Sequence, residues 1–148
     1  MSTNDGPDVD EVGPLDAWDI LSKDDGVVLV DVRSAAEWDF VGGPDLSELG
    51  RDAVRVQWKT WPGMSPNPAF AGEVLDAMQG LPTRILFLCR SGVRSLHAAR
   101  AVAEHSTAMG SPVRCTNVAE GFEGDLDVLR HRGGHNGWKA RGLAWHQS

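Results

Sequence analysis

The sequence is short of cysteine, of long apolar runs and of positive charge. Only two of its 148 residues are cysteine, Cys89 and Cys115, too few for the disulfide framework that stabilises small secreted proteins. Neither has a second Cys or His at the spacing of a metal site, so we expect no metal and no cofactor. No apolar stretch approaches the roughly 20 residues needed to cross a bilayer. We therefore expect a cytoplasmic protein without a membrane partner.

The charge balance is acidic, with 21 Asp and Glu against 14 Lys and Arg and a formal net charge of −7. Such a balance argues against broad nucleic-acid binding. The first stretch, Met1 to Glu11, is polar and acidic and lacks the basic start and apolar centre of a signal peptide. Against this background a local pair of arginines, Arg90 and Arg94, is the more informative.

The length suits a single domain, which we place at residues 13–148 after a flexible N-terminal tail at residues 1–12. Buried-strand patterns alternate with amphipathic helical ones, which indicates an α/β fold with a central, mainly parallel sheet. Further along, the pattern of residues 125–130 predicts one or two helical turns, and that of residues 138–143 predicts a short C-terminal helix. The main predicted strands cover residues 27–30, 53–57, 84–88 and 113–118, and the main predicted helices begin near Pro14, Ser34, Asn67 and Ser95.

The stretch with the most chemistry begins at Cys89, which ends an apolar strand and precedes a loop and a helix. A thiol at that place lies beside unpaired backbone N–H groups and the positive end of the helix dipole, which favour the thiolate. Arg90 and Arg94 act in the same direction and attract an anionic substrate. The alternative is a buried structural cysteine.

Asp31-Val32-Arg33 follows another buried strand. Ligands of open parallel sheets collect at the carboxyl ends of the strands, so both polar groups are expected along one rim. We interpret Asp31 and Arg33 as support for the Cys89 loop through an ion pair and hydrogen bonds, without a chemical role of their own.

Six short motifs follow one another along the chain: Val30-Asp31-Val32-Arg33, Glu37-Trp38, Cys89-Arg90-Ser91-Gly92-Val93-Arg94-Ser95, Asn117-Val118, Gly121-Phe122-Glu123-Gly124 and Gly137-Trp138-Lys139 through Gly142-Leu143. With these motifs in this order, the sequence resembles a single-domain rhodanese across residues 14–146. The resemblance implies a three-layer α/β/α fold and sulfur transfer through a Cys89 persulfide. The donor would be a small anion such as thiosulfate, and the acceptor cyanide, a thiol or a protein.

One departure from the family lies at Val41-Gly42-Gly43-Pro44-Asp45-Leu46. Rhodaneses commonly carry a Gly-His-Ile-Pro-Gly-Ala-like segment there, and the histidine is absent. The change concerns the local packing of residues 40–50, and it removes no residue that the transfer reaction requires.

A persulfide anion is large and soft, and it needs several N–H donors. The loop from Arg90 to Ser95, with Gly92 free to take unusual backbone angles, can curl its amides around the outer sulfur. The hydroxyls of Ser91 and Ser95 are further donors, although Ser95 is equally a candidate N-cap. Arg90 and Arg94 would hold the sulfonate end of the donor; for Arg90 a plain surface role is the alternative. The candidate loop residues are thus Arg90, Ser91, Gly92, Val93, Arg94 and Ser95.

Other candidates have simpler interpretations. Cys115 lies in a strand pattern and is interpreted as core, with a resolving thiol as the alternative. His97 could approach the loop from the helix, but an exposed or capping role is favoured. The pair Trp58 and Trp61 is assigned to packing in preference to a pocket wall. A Cys-His-Asn hydrolase is suggested by His131, His135 and Asn136. We prefer the simpler interpretation that these three are ordinary loop residues.

Two rival functions remain open. Cysteine-dependent phosphatases place an arginine six residues after the cysteine, whereas here Ser95 holds that position and Arg94 comes one residue earlier. The shorter loop suits one sulfur better than a phosphate. A sulfur carrier or regulatory module that uses a donor other than thiosulfate is the second rival. We expect a monomer, since no coiled-coil repeat is present.

Overall fold

The computed structural model describes residues 8–60, 63, 65–78 and 80–147, and within them it forms an α/β fold. The helices are α1 (Pro14–Lys23), α2 (Ala35–Phe40), α3 (Phe70–Asp76) and α4 (Val93–Ala108), with a 3-10 turn at Ser47–Leu49. The strands are β1 (Asp10–Val12), β2 (Val27–Asp31), β3 (Gly43–Pro44), β4 (Val54–Arg55), β5 (Lys59–Thr60), β6 (Ser65–Pro66), β7 (Arg84–Leu88), β8 (Cys115–Val118) and β9 (Trp145–His146).

The central sheet has five strands in the order β1-β8-β7-β2-β4, and every neighbouring pair is parallel. β2 and β7 are paired along their whole length, from Val27 opposite Arg84 to Asp31 opposite Leu88. The polar residues that follow these two strands therefore share one rim of the sheet, as the sequence predicted.

Two apolar clusters cover the two faces of the sheet and make three layers. Alternate strand residues point to opposite faces, so Val30 and Phe87 join one cluster while Leu29 and Leu86 join the other. α3 and α4 cover the first face. α1 and the C-terminal segment around buried Trp138 cover the second. The predicted α/β/α architecture with a parallel sheet is confirmed.

Part of the predicted N-terminal tail belongs to the sheet. Asp10–Val12, assigned to a flexible tail, forms edge strand β1 beside β8. Side chains hold it there: Asp10 accepts hydrogen bonds from Thr116 (2.6 Å), Arg114 (2.8 Å) and Arg84 (3.0 Å). A three-residue acidic strand anchored in this way has no apolar pattern from which to predict it. Residues 1–7 of the predicted tail lie outside the described residues.

The C-terminal quarter is built of turns where two short helices were predicted. The Asp127 carboxylate accepts the backbone N–H groups of Leu129 and His131, so residues 125–131 close a turn. Residues 138–143 form consecutive turns around Trp138, whose indole N–H donates to the Ala144 carbonyl. Side-chain capping of local turns competes with helix formation in such polar segments.

The segment without the family histidine is ordered. β3 pairs antiparallel with β9, so residues 43 and 44 are fixed by residues 145 and 146. Among the described residues, no helix is both long and apolar enough to span a bilayer.

Candidate active site

Cys89 lies at the rim, directly after β7. The Val32 N–H donates to the carbonyl of Leu88 (2.9 Å), so the end of β2 holds the chain just before the cysteine. Cys89 is buried, with 1% of the residue exposed. A loop of three residues then leads into the 16-residue helix α4, whose N-cap is Gly92.

Two groups from the start of α4 contact the Cys89 sulfur. The Gly92 N–H lies 3.1 Å from Sγ, and the Ser95 hydroxyl lies 3.2 Å from it. Gly92 has φ of 107°, a left-handed conformation that favours glycine and turns the chain into the helix. The helix thus begins earlier than predicted, and the N-cap alternative for Ser95 is wrong. Buried Ser95 instead points its hydroxyl at the sulfur.

Asn117, on β8, joins the loop to the sheet. Its Oδ1 lies 2.5 Å from the Ser95 hydroxyl. Its Nδ2 donates to the Gly92 carbonyl (3.1 Å) and to the Glu11 carboxylate (2.8 Å). These acceptors fix the amide orientation, so Oδ1 faces Ser95. Sequence reasoning used Asn117 only as a landmark; a polar residue in a buried strand was the available signal, and Glu11 gave none.

A second contact to the loop comes from the turn at residues 121–124. The Phe122 N–H donates to the Cys89 carbonyl (2.7 Å), and the N–H groups of Glu123 and Gly124 both donate to the Arg90 carbonyl (3.0 Å each). Gly121 makes this approach possible, because a Cβ there would lie 2.5 Å from the Cys89 carbonyl oxygen. The turn therefore holds the backbone of Cys89 and Arg90 at the start of the loop.

Asp31 and Arg33 form a fully buried ion pair next to that turn. The Arg33 Nε and Nη2 atoms donate to the two Asp31 oxygens at 2.9 and 2.6 Å, and Nη2 also donates to the Gly42 carbonyl (2.7 Å). The guanidinium lies 4.5 Å from the centre of the Phe122 ring. Phe122 links the ion pair to the loop, because its ring contacts Arg33 and its N–H binds the Cys89 carbonyl.

Arg94 is paired with Glu37 of α2. Its two Nη atoms lie 2.7 and 2.8 Å from the two Glu37 oxygens, and the side chains are only 16% and 18% exposed. Glu37 and Ser34 also form the predicted capping box of α2. Burial alone would raise the pKa of Glu37, but the hydrogen bonds and charge of Arg94 outweigh it and lower the pKa below its ordinary value.

The remaining loop residues lie nearer to solvent. Arg90 and Val93 are exposed, and Ser91 is half-buried. Among the described residues, Arg90 forms no ion pair. It is thus the basic residue of the loop whose charge is not already balanced.

A cleft of about 440 Å³ lies between α2 and the loop. Two of its charged residues, Arg90 and Arg94, are basic, and two, Glu37 and Glu123, are acidic. The cleft therefore carries both signs of charge, where the sequence predicted a basic site. Cys89 lies below the loop and does not itself line the cleft.

Cys115 is too far away to act as a resolving thiol. In the sheet it pairs with Ile85, four residues before Cys89, so the two cysteines are about 13 Å apart along the strands. Disulfides need Cα atoms within about 7 Å. Burial, with a smaller contribution from the charge of Asp10, raises the pKa of the Cys115 thiol to about 12.

The other candidates have structural roles or stand apart. Trp58 packs edge-to-face on Phe70 (5.1 Å between ring centres), which confirms the packing interpretation; Trp61 lies outside the described residues. His97 is exposed on α4. Exposed His131 and His135 lie in the C-terminal turns, where Asn136 accepts the Asp125 N–H. Within the described ranges no group of three or more His, Cys, Asp or Glu side chains could hold a metal ion.

Comparison with known proteins gives consistent results. The model of the Rhodanese-like domain family matches residues 14–141. The crystal structure of Rv0390 from M. tuberculosis is 46% identical, with a TM-score of 0.83 over 96% of this chain and 100% of that chain. Uncharacterized protein RC0915 of Rickettsia conorii is 34% identical over 129 residues, 87% of this chain and 90% of that protein.

A more distant structure shares the fold. The polysulfide-sulfur transferase homodimer of Wolinella succinogenes is 19% identical, with a TM-score of 0.53 over 95% of this chain and 80% of that chain. At this identity the likeness shows the fold alone.

Proposed function

The chain belongs to the rhodanese-like domain family, and on that premise we propose that it is a sulfurtransferase that carries sulfane sulfur on Cys89. The observation that supports the proposal most is the position of the Cys89 sulfur. It lies at the start of α4 with the Gly92 N–H and the Ser95 hydroxyl directed at it. These donors and the helix dipole favour a sulfur anion at this place.

The first half-reaction loads the enzyme. The Cys89 thiolate attacks the outer sulfur of thiosulfate or a similar donor. A new S–S bond forms, the S–S bond of thiosulfate breaks with its electron pair, and sulfite leaves. The product is a Cys89 persulfide, whose terminal sulfur needs hydrogen-bond donors; the backbone of residues 90–95 and the two serine hydroxyls are the candidates.

The second half-reaction unloads it. Cyanide or a thiolate attacks the terminal sulfur of the persulfide, and the electron pair of the breaking S–S bond returns to Cys89 as a thiolate. Cyanide leaves as thiocyanate, and a thiolate leaves as its persulfide. No metal or external oxidant is needed, because the sulfane sulfur only changes its bonding partner.

A second candidate function is supported by the charges of the cleft. Because Glu37 already neutralises Arg94, the site is less basic than a thiosulfate dianion would favour. A sulfur carrier or regulatory module loaded by another donor, including a protein donor, accounts for that balance. A phosphatase is disfavoured, since Ser95 takes the place of the arginine and is bound to Asn117.

The assay that tests the proposal measures sulfite release from thiosulfate with cyanide as acceptor, beside hydrolysis of an aryl phosphate. We expect sulfite and thiocyanate in equal amounts, and no phosphate. Sulfur loading from polysulfide, with no sulfite released from thiosulfate, would favour the carrier. Phosphate release without sulfite would overturn the assignment. The matched control is Cys115→Ser, which keeps Cys89 and removes the other thiol.

A further inference from the structure

The cleft beside the Cys89 loop has a charge pattern that the transfer of a simple anion does not require. We propose that Arg90 and Glu123 make the site selective for zwitterionic thiols, amino-acid or small-peptide thiols that carry both a carboxylate and an ammonium group. The inference rests on the sulfur transfer proposed above and names the acceptor class of that same site.

The pattern depends on which charges are already balanced. Arg94 and Glu37 are bound to each other through two short hydrogen bonds. That leaves Arg90, exposed, and Glu123, half-buried, as the other charged residues of the cleft. Neither forms an ion pair with any residue that the structure describes.

The backbones of the two residues are hydrogen-bonded to each other directly after Cys89. Arg90 directly follows Cys89 in the chain. The Glu123 N–H donates to the Arg90 carbonyl at 3.0 Å, so Glu123 is joined to the same stretch of backbone. A ligand in the cleft therefore meets a guanidinium and a carboxylate from two different segments. Both segments are attached to the rim that carries Cys89.

A ligand with both charges satisfies this pair, and a purely anionic one does not. The carboxylate of a zwitterionic thiol can accept from Arg90 while its ammonium donates to Glu123. An anionic thiol meets the uncompensated carboxylate of Glu123, which repels it. The cleft, about 440 Å³, has room for an amino acid or a small peptide, and Ala36 and Val41 offer apolar contact to its methylene groups.

The selected step is the unloading of the persulfide. The thiolate of the zwitterion attacks the terminal sulfur on Cys89. One S–S bond forms, the S–S bond to Cys89 breaks, and Cys89 receives the electron pair as its thiolate. The zwitterionic thiol leaves as its persulfide, so no further oxidant or reductant takes part.

The experiment uses three small thiols that differ in charge. The full-length protein is loaded with inorganic polysulfide, loading is verified by mass, and KM and kcat for sulfur handover are measured. The acceptors are cysteine, 3-mercaptopropionate, which lacks the ammonium group, and cysteamine, which lacks the carboxylate. Because each ratio compares two proteins acting on one thiol, the different acidities of the thiols cancel.

Each variant has its own expected pattern. Glu123→Gln raises KM for cysteine and cysteamine about fivefold, the size of one partly exposed ion pair, and does not raise KM for 3-mercaptopropionate. Arg90→Gln raises KM for cysteine and 3-mercaptopropionate by a similar factor and spares cysteamine. The value of kcat stays the same in both. Glu104→Gln and Arg100→Gln, on the exposed surface of α4, are charge-matched controls and change none of the three KM values.

Failure of the inference and failure of the proposed function give different results. If Cys89 loads but both variants change the three thiols equally, or change none, the selectivity is refuted and the sulfur transfer stands. The same holds if the controls reproduce the pattern, since the effect is then general electrostatics. If polysulfide puts no sulfur on Cys89, the proposed function itself fails.

Discussion

The hydroxyl group of Ser95 lies 2.5 Å from Oδ1 of Asn117. The same hydroxyl is 3.2 Å from the Cys89 sulfur, and it has a single proton to donate. With a neutral thiol, that proton can go to Asn117 while the thiol donates to the Ser95 oxygen. With a thiolate or persulfide anion it can turn to the sulfur. Asn117 and the Cys89 sulfur thus compete for the single proton of Ser95.

We predict that Asn117→Ala slows sulfur loading at least about tenfold, because Gly92 and Ser95 lose the side chain that positions them. The free energy of unfolding falls by about 1 to 3 kcal/mol, since buried polar groups lose their partners. Stopped-flow loading and urea unfolding measure the two effects. The control is Glu11→Gln, which keeps an acceptor for the Asn117 amide. It should reduce the loading rate and the free energy of unfolding by less than Asn117→Ala does. A variant that loads at the wild-type rate would show that Asn117 has no positioning role.

We predict that Gly121→Ala strongly slows the loading of sulfur on Cys89. The new Cβ would collide with the Cys89 and Arg90 carbonyls, and Gly121 has φ of 67°. The backbone around Cys89 must then shift, and loading by thiosulfate or polysulfide should fall by about a hundredfold.

The matched control for that collision is Gly72→Ala. Gly72 lies within α3, with nothing within 4 Å of a built Cβ. This substitution should leave loading unchanged and stabilise the protein by about 0.5 to 1 kcal/mol in thermal unfolding. Equal loading rates for the two variants would contradict the role given to the turn at residues 121–124.

The Cys115 thiol should be unreactive in the folded protein. The thiol is buried, and burial raises its pKa to about 12. We expect iodoacetamide at pH 8 to leave Cys115 unmodified until denaturant is added, because the raised pKa keeps it as the unreactive thiol. Peptide mass mapping distinguishes Cys115 from Cys89. Labelling of Cys115 in the folded protein as fast as in denaturant would contradict the raised pKa of its thiol.

The ion pair of Glu37 with Arg94 should stabilise the protein in a pH-dependent way. The pKa of Glu37 is lowered in the folded state. Its contribution is therefore fully present above the unfolded value of about 4.3 and is lost as pH falls through the lower folded value. We expect Glu37→Gln to cost about 2 kcal/mol at pH 7 and progressively less below about pH 4. Urea unfolding of the wild type and the variant from pH 7 to pH 3 tests this. A difference in the free energy of unfolding that grows towards acid would contradict the prediction.

The contiguous part of the site could be predicted from the sequence. Cys89 and the loop that follows it are neighbours in the chain, so strand, loop and helix signals together placed the thiol at a helix N-terminus. Ser34 and Glu37 were recognised as a capping box for the same reason, since such a cap is local. The parallel sheet followed from the alternation of buried strands and amphipathic helices.

The partners that hold the loop could not be predicted, because they come from far along the chain. Arg94 and Glu37 are 57 residues apart, and Asn117 and Glu11 are 106 residues apart. Hydrogen bonds across such separations leave no periodicity or spacing in a single sequence. The second role of Glu37 and the strand at residues 10–12 were therefore missed, and the site was predicted to be more basic than it is.

The most direct test of the central claim is the mass of the intact protein after brief exposure to thiosulfate, and separately to polysulfide. We predict a gain of about 32 Da, one sulfur atom as a persulfide, located on Cys89 by peptide mapping. Cyanide should remove it, and Cys89→Ser should not acquire it. No added sulfur from either donor, or sulfur found on Cys115 in place of Cys89, would contradict the account.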